Sequence, residues 1–192
     1  MARATVLALF LSLIYIAGTA ESAAVATNFI KASCRTTQYP AVCVQSLSTY
    51  AATIQRSPKQ LVQTALSVSL DTAQSMKTFV TRLTKFKGLK KREYAAIKDC
   101  LEEMSDNVDR ISKSVKELKN MGSTKGPEFQ WHMSNVETWV SAALTDENTC
   151  TDGFAGKALN GRIQVSIKAR VTNLGKVTSN ALALVNNYAT KH

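Results

Sequence analysis

Apolar residues recur every three or four positions through four long segments of the chain. This spacing places them on one face of an α-helix, because a helix turns once every 3.6 residues. The first segment follows Ser57 and Pro58, a capping hydroxyl and a first-turn proline, and ends near Gly88. Its predicted core face is Leu61, Ala65, Val68, Thr72, Met76, Phe79 and Leu83. The pattern predicts one continuous amphipathic helix.

The second segment, residues 92–121, has the most regular spacing. Acidic residues crowd its first half and lysines its last part, an order that complements the helix dipole. We expect this helix to end near Gly122. Its predicted core face is Tyr94, Ile97, Leu101, Met104, Val108, Ile111, Val115 and Leu118.

The third and fourth segments, residues 134–154 and 162–189, repeat the pattern. Gly175 costs the fourth helix about 1 kcal/mol but need not break it. The third predicted core face is Val136, Val140, Ala143, Glu147, Cys150 and Phe154. The fourth is Ile163, Ile167, Val171, Leu174, Val177, Ala181, Leu184 and Tyr188.

Four amphipathic helices joined by short connections are typical of an all-α, up-down-up-down four-helix bundle. We expect this bundle to occupy residues 57–192. The composition agrees, since the chain has only 3 prolines and 8 glycines and is 7% aromatic. That balance favours helices over a sandwich or barrel.

The N-terminus, residues 1–24, has the layout of a secretory signal peptide. Arg3 precedes an apolar run from Val6 to Ala17, and small residues follow. A membrane anchor is the alternative, but a run of about a dozen residues is short for a hydrocarbon layer about 30 Å thick. We expect a secreted protein with no membrane partner once the signal is removed.

Secretion favours disulfides for the four cysteines, which allow three pairings. Pro40 disfavours a continuous helix and predicts a turn at Tyr39-Pro40, which brings Cys34 and Cys43 together on antiparallel arms. The hypothesis that needs least rearrangement pairs Cys34 with Cys43 and Cys100 with Cys150. In an antiparallel bundle Cys100, near the start of the second helix, lies beside Cys150, near the end of the third.

The chain carries a formal net charge of +10 at pH 7. This charge would suit an acidic partner such as a polyanionic polysaccharide of the extracellular matrix. The alternative is that it only keeps a secreted protein soluble. A secreted protein does not meet nucleic acid, so we expect no nucleic-acid partner.

No catalytic or metal-binding pattern is present in the sequence. It lacks a nucleophile elbow, a phosphate-binding loop and a dinucleotide fingerprint. His132 lies between Trp131 and Met133 and reads as a packing residue, and His192 is the last residue. The absence of C-x-x-C argues against zinc. We expect neither an enzyme nor a cofactor.

The third helix carries a second stripe of small polar residues beside its apolar one. Surface helices usually carry Lys and Glu, whereas small polar groups let another surface approach closely and offer hydrogen bonds. The stripe is either a hydrated face or a docking face. Its members are Ser134, Thr138, Ser141, Thr145, Asn148 and Asp152.

Four stretches together resemble the plant pectin methylesterase inhibitor and invertase inhibitor family: CRTTQYPAVC, KDCLEEMSDNVDRI, WVSAALTDENTCTDGF and TSNALALVN. The resemblance spans essentially the whole mature chain. It implies an N-terminal helical hairpin, residues 25–56, clasped by the first bridge, with the second bridge tying the second and third bundle helices. It also implies a non-covalent one-to-one inhibitor of a cell-wall enzyme, whose second to fourth bundle helices cover the pectin-binding cleft in the esterase branch.

Local features favour pectin methylesterase over invertase as the target. Invertase inhibitors carry Pro-Lys-Phe between the second and third bundle helices, where this chain has Pro127, Glu128 and Phe129. A carboxylate there would repel an acidic active site by several kcal/mol. The alternatives are an invertase inhibitor and a non-inhibitory bundle that binds acidic pectin. We expect a monomer when free, in the apoplast or cell wall rather than the vacuole.

Carboxylates buried at such an interface would make affinity depend on pH. The candidates on the second and third helices are Asp106, Asp109 and Asp152.

Overall fold

The computed structural model describes residues 23–122, 125–155 and 161–191, which are helical apart from short turns and contain no strand. The predicted signal segment, residues 1–24, lies outside the described residues except for its last two, which begin the first helix. This helix, α1, spans 23–34. The all-α prediction is confirmed.

The chain reverses direction after α1 and forms a short helical hairpin. Helix α2 spans Pro40–Leu47, and a 3₁₀ turn, Ser48–Tyr50, leads into α3, Ala51–Ile54. The predicted turn is present, with Pro40 in the first turn of α2, where its missing N–H costs nothing. Cys34 and Cys43 form a disulfide with Cα atoms 5.6 Å apart. This part of the pairing hypothesis is confirmed.

One amide side chain fixes the hairpin to the bundle. The backbone N–H of Tyr39 donates to Asn180 Oδ1 at 2.9 Å, and Asn180 Nδ2 donates to the Tyr39 carbonyl at 2.9 Å. Asn180 is buried, so both bonds are shielded from water. The hairpin is therefore held against the last bundle helix by its own turn.

Four long helices follow and form the bundle. They are α4, Pro58–Leu83; α5, Lys91–Asn120; α6, Gly126–Asp152; and α7, Arg162–Ala189. Helix α4 packs against α5 and α7, and α6 packs against the same two. Ser57 caps α4 by accepting a hydrogen bond from the Gln60 N–H at 3.2 Å, as its Ser-Pro start predicts.

The core of the bundle is divided along its length. One apolar cluster, at the hairpin end, includes Leu66, Ile111, Val140 and Leu184. The other lies around the second disulfide and includes Met76, Ile97, Phe154 and Ile167. Between them, each helix contributes one buried polar residue to a polar layer, consisting of Ser69, Asn107, Glu147 and Thr178.

The core face of α5 differs from the prediction at alternate positions. Tyr94 is 44% exposed, so placing it in the core is wrong. Predicted members Leu101, Val108 and Val115 are only half-buried, and their places in the seam are taken by Cys100, Asn107 and Ser114. Small side chains at the middle of the seam let α5 approach its neighbours closely, and the larger apolar residues one position later flank it.

Helix α6 begins earlier than residue 134. Gly126 has a φ of 86°, a conformation that favours glycine, and Pro127 follows in the first turn. The predicted core face, from Val136 through Glu147 to Phe154, is buried throughout. The helix therefore has the predicted face and eight more residues at its start.

Cys100 and Cys150 form the second disulfide, with Cα atoms 4.3 Å apart. It joins the start of α5 to the end of α6, which confirms the remaining pair and the antiparallel topology. No free cysteine is found in the described residues.

Replacing both members of a disulfide by serine should destabilise the protein more for the disulfide that closes the longer loop. Loss of Cys100–Cys150, which spans 50 residues, should lower the free energy of unfolding by about 4 kcal/mol, against about 2.5 kcal/mol for Cys34–Cys43, which spans 9. All four cysteines are buried, so the two double variants are matched in burial. Urea unfolding measures both, and an equal or reversed ranking would contradict the loop-closure explanation.

Candidate docking surface

The outer face of α6 presents the predicted polar stripe. All six of its residues are exposed: Ser134, Thr138, Ser141, Thr145, Asn148 and Asp152. The hydroxyls of Ser134, Thr138 and Ser141 make no hydrogen bond within the described parts of the chain, whereas Thr145 donates to its own helix backbone at 3.4 Å. Helix α6 has no Lys or Arg at all. The stripe therefore offers open hydroxyls on a surface free of long basic side chains.

Trp131 extends the stripe at its N-terminal end, although it was not among the residues predicted for this surface. It lies three residues before Ser134 and is 61% exposed. Its ring meets the His132 ring edge-on, with centroids 5.0 Å apart. The three-residue spacing from Trp131 to Ser134 was a readable signal. An exposed tryptophan at the end of a polar stripe is the residue type most often found as an anchor in interfaces.

A hydrogen-bonded cluster fixes this end of α6 against α5. Glu117 Oε1 lies 2.8 Å from His132 Nδ1 and accepts a hydrogen bond from Asn135 Nδ2 at 3.1 Å. Burial alone would raise the pKa of Glu117, but the hydrogen bonds with His132 and Asn135 outweigh it and lower the pKa. His132 is thus a packing residue, as predicted, with a carboxylate partner that the sequence did not reveal.

The first turn of α6 contains Pro127, Glu128 and Phe129. The prediction that these residues lie in a loop between the second and third bundle helices is therefore wrong. Phe129 is buried and its ring meets Tyr188 of α7 edge-on at 5.7 Å. Glu128 points outward, with its side chain 72% exposed. The structure therefore separates the three residues, because the Phe129 ring belongs to the core whereas Pro127 and the Glu128 carboxylate lie at the surface.

The three predicted interface carboxylates are exposed and belong to two helices. Asp109 pairs with Lys113 at 2.8 Å, a bond that lowers its pKa. Asp106, three residues before Asp109 on α5, lies on the side that faces Asp146, and Asp152 ends α6.

The buried carboxylates are instead two neighbours on α6, Asp146 and Glu147. Asp146 Oδ2 lies 2.9 Å from Arg110 Nε of α5, so the two side chains form an ion pair. Their relative orientation does not meet the geometry of a hydrogen bond, and neither atom has another hydrogen-bond partner in the described residues. Burial raises the pKa of Asp146 to about 6, against the opposing charge of Arg110. The periodicity of α6 predicts Glu147 on the core face, but it gives no sign of the hydrogen-bonded network around this carboxylate.

Glu147 is the centre of the polar layer. Its Oε1 accepts hydrogen bonds from Asn107 Nδ2 at 3.0 Å and Thr178 Oγ1 at 2.8 Å. Thr178 is in turn 2.9 Å from Ser69 Oγ, so the chain of bonds reaches all four bundle helices. Its Oε2 makes no hydrogen bond, and a Cβ at Gly175 would lie 3.1 Å from it. Glycine at 175 therefore permits this close approach of α6 and α7.

No group of three or more potential metal ligands occurs in residues 23–122, 125–155 and 161–191. The buried carboxylates are held by amide, hydroxyl and guanidinium groups, and His132 is engaged with Glu117.

Comparison with known proteins identifies the family. Residues 28–184 match the family described as plant invertase/pectin methylesterase inhibitor. The chain belongs to this family. This is a family of non-catalytic inhibitors, which agrees with the prediction that the chain is not an enzyme.

Several relatives of this inhibitor family are similar over most of their length. The chain is 62% identical over 173 residues to a 21 kDa protein of Daucus carota, covering 90% of each chain. It is 56% identical over 168 residues to pectinesterase inhibitor 11 of Arabidopsis thaliana, covering 87% of this chain and 83% of the relative.

A solved structure confirms the inhibitor fold. The crystal structure of a mutant form of a pectin methylesterase inhibitor from Arabidopsis has a TM-score of 0.64 and covers 80% of this chain and 92% of its own. At 18% sequence identity the likeness shows the fold.

The stability of this inhibitor should fall as pH rises from 5 to 8. Burial raises the pKa of Glu147 from 4.5 to about 7, overcoming the hydrogen bonds from Thr178 and Asn107. A raised carboxylate pKa means that the folded state keeps its proton where the unfolded state has lost it, so ionisation disfavours the fold. The expected loss is about 3 kcal/mol across this window, with Asp146 acting in the same direction.

Glu147→Gln is the variant that tests this explanation. Its free energy of unfolding, from urea titrations at pH 5 and pH 8, should change less with pH than that of the parent. Exposed Glu102→Gln on α5 does not join the network and should keep the parent's dependence. A parent protein that is as stable at pH 8 as at pH 5 would contradict the assignment.

Proposed function

We propose that the protein is a secreted inhibitor of plant pectin methylesterase, acting through a non-covalent one-to-one complex that occludes the pectin-binding cleft. The names of its relatives support the target. The single observation that carries the docking site is the α6 surface, where six exposed small polar residues follow an exposed tryptophan on a helix without Lys or Arg.

The properties of this surface suit a rigid plug. Short hydroxyl and amide side chains lose little conformational freedom on contact, and they leave room for the backbone of a partner to come near. The Cys100–Cys150 bridge and the polar layer hold α6 in place before binding. Preorganisation of this kind reduces the entropy lost in the complex.

Extracellular action fits the predicted signal segment, and we propose the apoplast or cell wall as the site of action. No helix in the described residues is long and apolar enough to cross a bilayer. We also propose acidic pectin as a second ligand, because the chain is strongly basic at +10.

Invertase is the second candidate target, since the family description covers both enzymes. Two features of α6 favour the esterase. The exposed Glu128 would bring a negative charge to an acidic active site, and Phe129 is buried, so its ring is not available to a partner. Parallel assays of pectin demethylation and sucrose hydrolysis decide between them, and inhibition of sucrose hydrolysis alone would reverse the assignment.

The double variant Ser141→Arg with Thr145→Arg should weaken inhibition of pectin methylesterase by about thirtyfold or more. Two long cations in the middle of the stripe prevent close approach and must be desolvated at the interface. The matched control is Gln74→Arg with Thr78→Arg, an exposed pair with the same spacing on α4. Equal inhibition by both variants, with helical circular dichroism intact, would exclude the α6 stripe as the docking surface.

Trp131→Ala should also weaken inhibition by about thirtyfold, the loss expected for a tryptophan anchor worth about 2 kcal/mol or more. Its ring is largely exposed in the free protein, so the fold should be unaffected. The control is Tyr94→Ala, another exposed aromatic residue, at the start of α5. Titration of the enzyme at constant substrate measures both, and an unchanged inhibition constant for Trp131→Ala would remove it from the interface.

A further inference from the structure

The positive charge of the chain is unevenly distributed among its helices. Helix α6 has five carboxylates and no Lys or Arg, whereas α7 has four basic residues and no acidic one. The turn between α4 and α5 is more basic still, with five basic residues among the eight positions from 85 to 92 and none acidic. The net charge is therefore a local property of particular surfaces.

The basic residues of α7 and of this turn lie at the same end of the bundle. The starts of α5 and α7 meet there, since a Cβ on Gly161 would lie 3.9 Å from Glu93 Oε1. The Arg170 guanidinium lies 4.3 Å from the ring centre of Phe79, near the end of α4. We call this surface the basic end, and its exposed members are Lys85, Lys87, Lys90, Lys91, Arg92, Arg162 and Arg170.

None of the basic-end side chains forms an ion pair with a carboxylate of the described residues. Glu93, next to Arg92 in the sequence, accepts a hydrogen bond from the backbone N–H of Lys90 at 3.2 Å. Like charges held together cost free energy unless an anion offsets them, so the surface is suited to a multivalent anion.

An exposed aromatic ring lies within the same turn. Phe86 is 59% exposed, between Lys85 and Lys87. An apolar ring surrounded by cations matches a polymer that has both anionic groups and C–H faces, which a simple inorganic anion lacks. A chain of uronic acid sugars has this chemistry.

We propose that the basic end binds a linear polymer of sugar carboxylates, namely de-esterified pectin. The choice of polymer rests on the proposed function, because removal of methyl esters by a pectin methylesterase produces these carboxylates. The α6 stripe lies on a helix that contributes no residue to the basic end, so the enzyme and the polymer can be held together. The inhibitor is then retained where demethylation has occurred.

Binding of polygalacturonate by the mature protein tests the proposal. We expect binding at low ionic strength that weakens steadily as salt rises, and none to fully methyl-esterified pectin. The variant Lys85→Gln, Lys87→Gln, Lys91→Gln, Arg92→Gln should lose about tenfold or more in affinity. Phe86→Ser should weaken binding further at a salt concentration where the charge contribution is screened.

A matched control separates position from net charge. The variant Lys31→Gln, Arg35→Gln, Lys116→Gln, Lys119→Gln removes four exposed cations elsewhere and has the same net charge as the first variant. It should bind polygalacturonate within about twofold of the parent. Equal losses in the two variants, or no loss in the first, would overturn the proposal, as would binding to phosphatidylserine vesicles but not to polygalacturonate.

Enzyme inhibition gives an independent readout. The basic-end variant should still inhibit pectin methylesterase in solution, because the α6 stripe is unchanged. Loss of polymer binding with inhibition retained supports two separate surfaces. A parent protein that binds polygalacturonate but inhibits no esterase would refute the proposed function and leave the polymer site standing.

Discussion

The structure depends on one buried carboxylate that is hydrogen-bonded to two neighbouring helices and linked through one of them to the remaining helix of the bundle. Glu147 of α6 accepts hydrogen bonds from α5 and α7, and through Thr178 the chain of bonds continues to Ser69 of α4. A polar group in an apolar core is costly unless it is paired. A shift of α5, α6 or α7 by one turn would break at least one hydrogen bond to the carboxylate, and a shift of α4 would break the bond between Ser69 and Thr178. The layer therefore fixes the register of all four helices at the middle of the bundle.

This register determines the functional surface. Because Glu147 faces inward, the positions from Ser134 to Asn148 on the opposite side of α6 must face solvent as one stripe. The disulfide at Cys150 and the His132–Glu117 contact hold the two ends of the same helix. The inhibitor's proposed docking surface is thus set by the core beneath it, while the cations collect at one end of the bundle.

The helical periodicity in the sequence predicts the four long helices and the exposed stripe on α6, because each depends on spacing within a single helix. The two disulfides follow instead from the turn at Pro40 and from the antiparallel order of the helices. The periodicity did not predict which of two adjacent positions on a helix is buried against the neighbouring helix. Ile97 has apolar neighbours three and four residues away, and only packing against α6 selects Cys100 over Leu101. The hydrogen bonds of Glu147 could not be predicted either, because its partners Asn107 and Thr178 are distant in the sequence. The early start of α6 was missed because Gly126 and Pro127 are residues of loops as well as of helix starts.

Oxidative footprinting of the inhibitor, free and bound to pectin methylesterase, tests the central claim most directly. Hydroxyl radicals modify exposed aromatic rings, and Trp131, Tyr94 and Phe86 are all accessible in the free protein. The account predicts that complex formation shields Trp131 and leaves Tyr94 and Phe86 as reactive as before. Continued oxidation of Trp131 in the complex, with shielding of the other two rings, would show that the enzyme docks elsewhere and contradict the account.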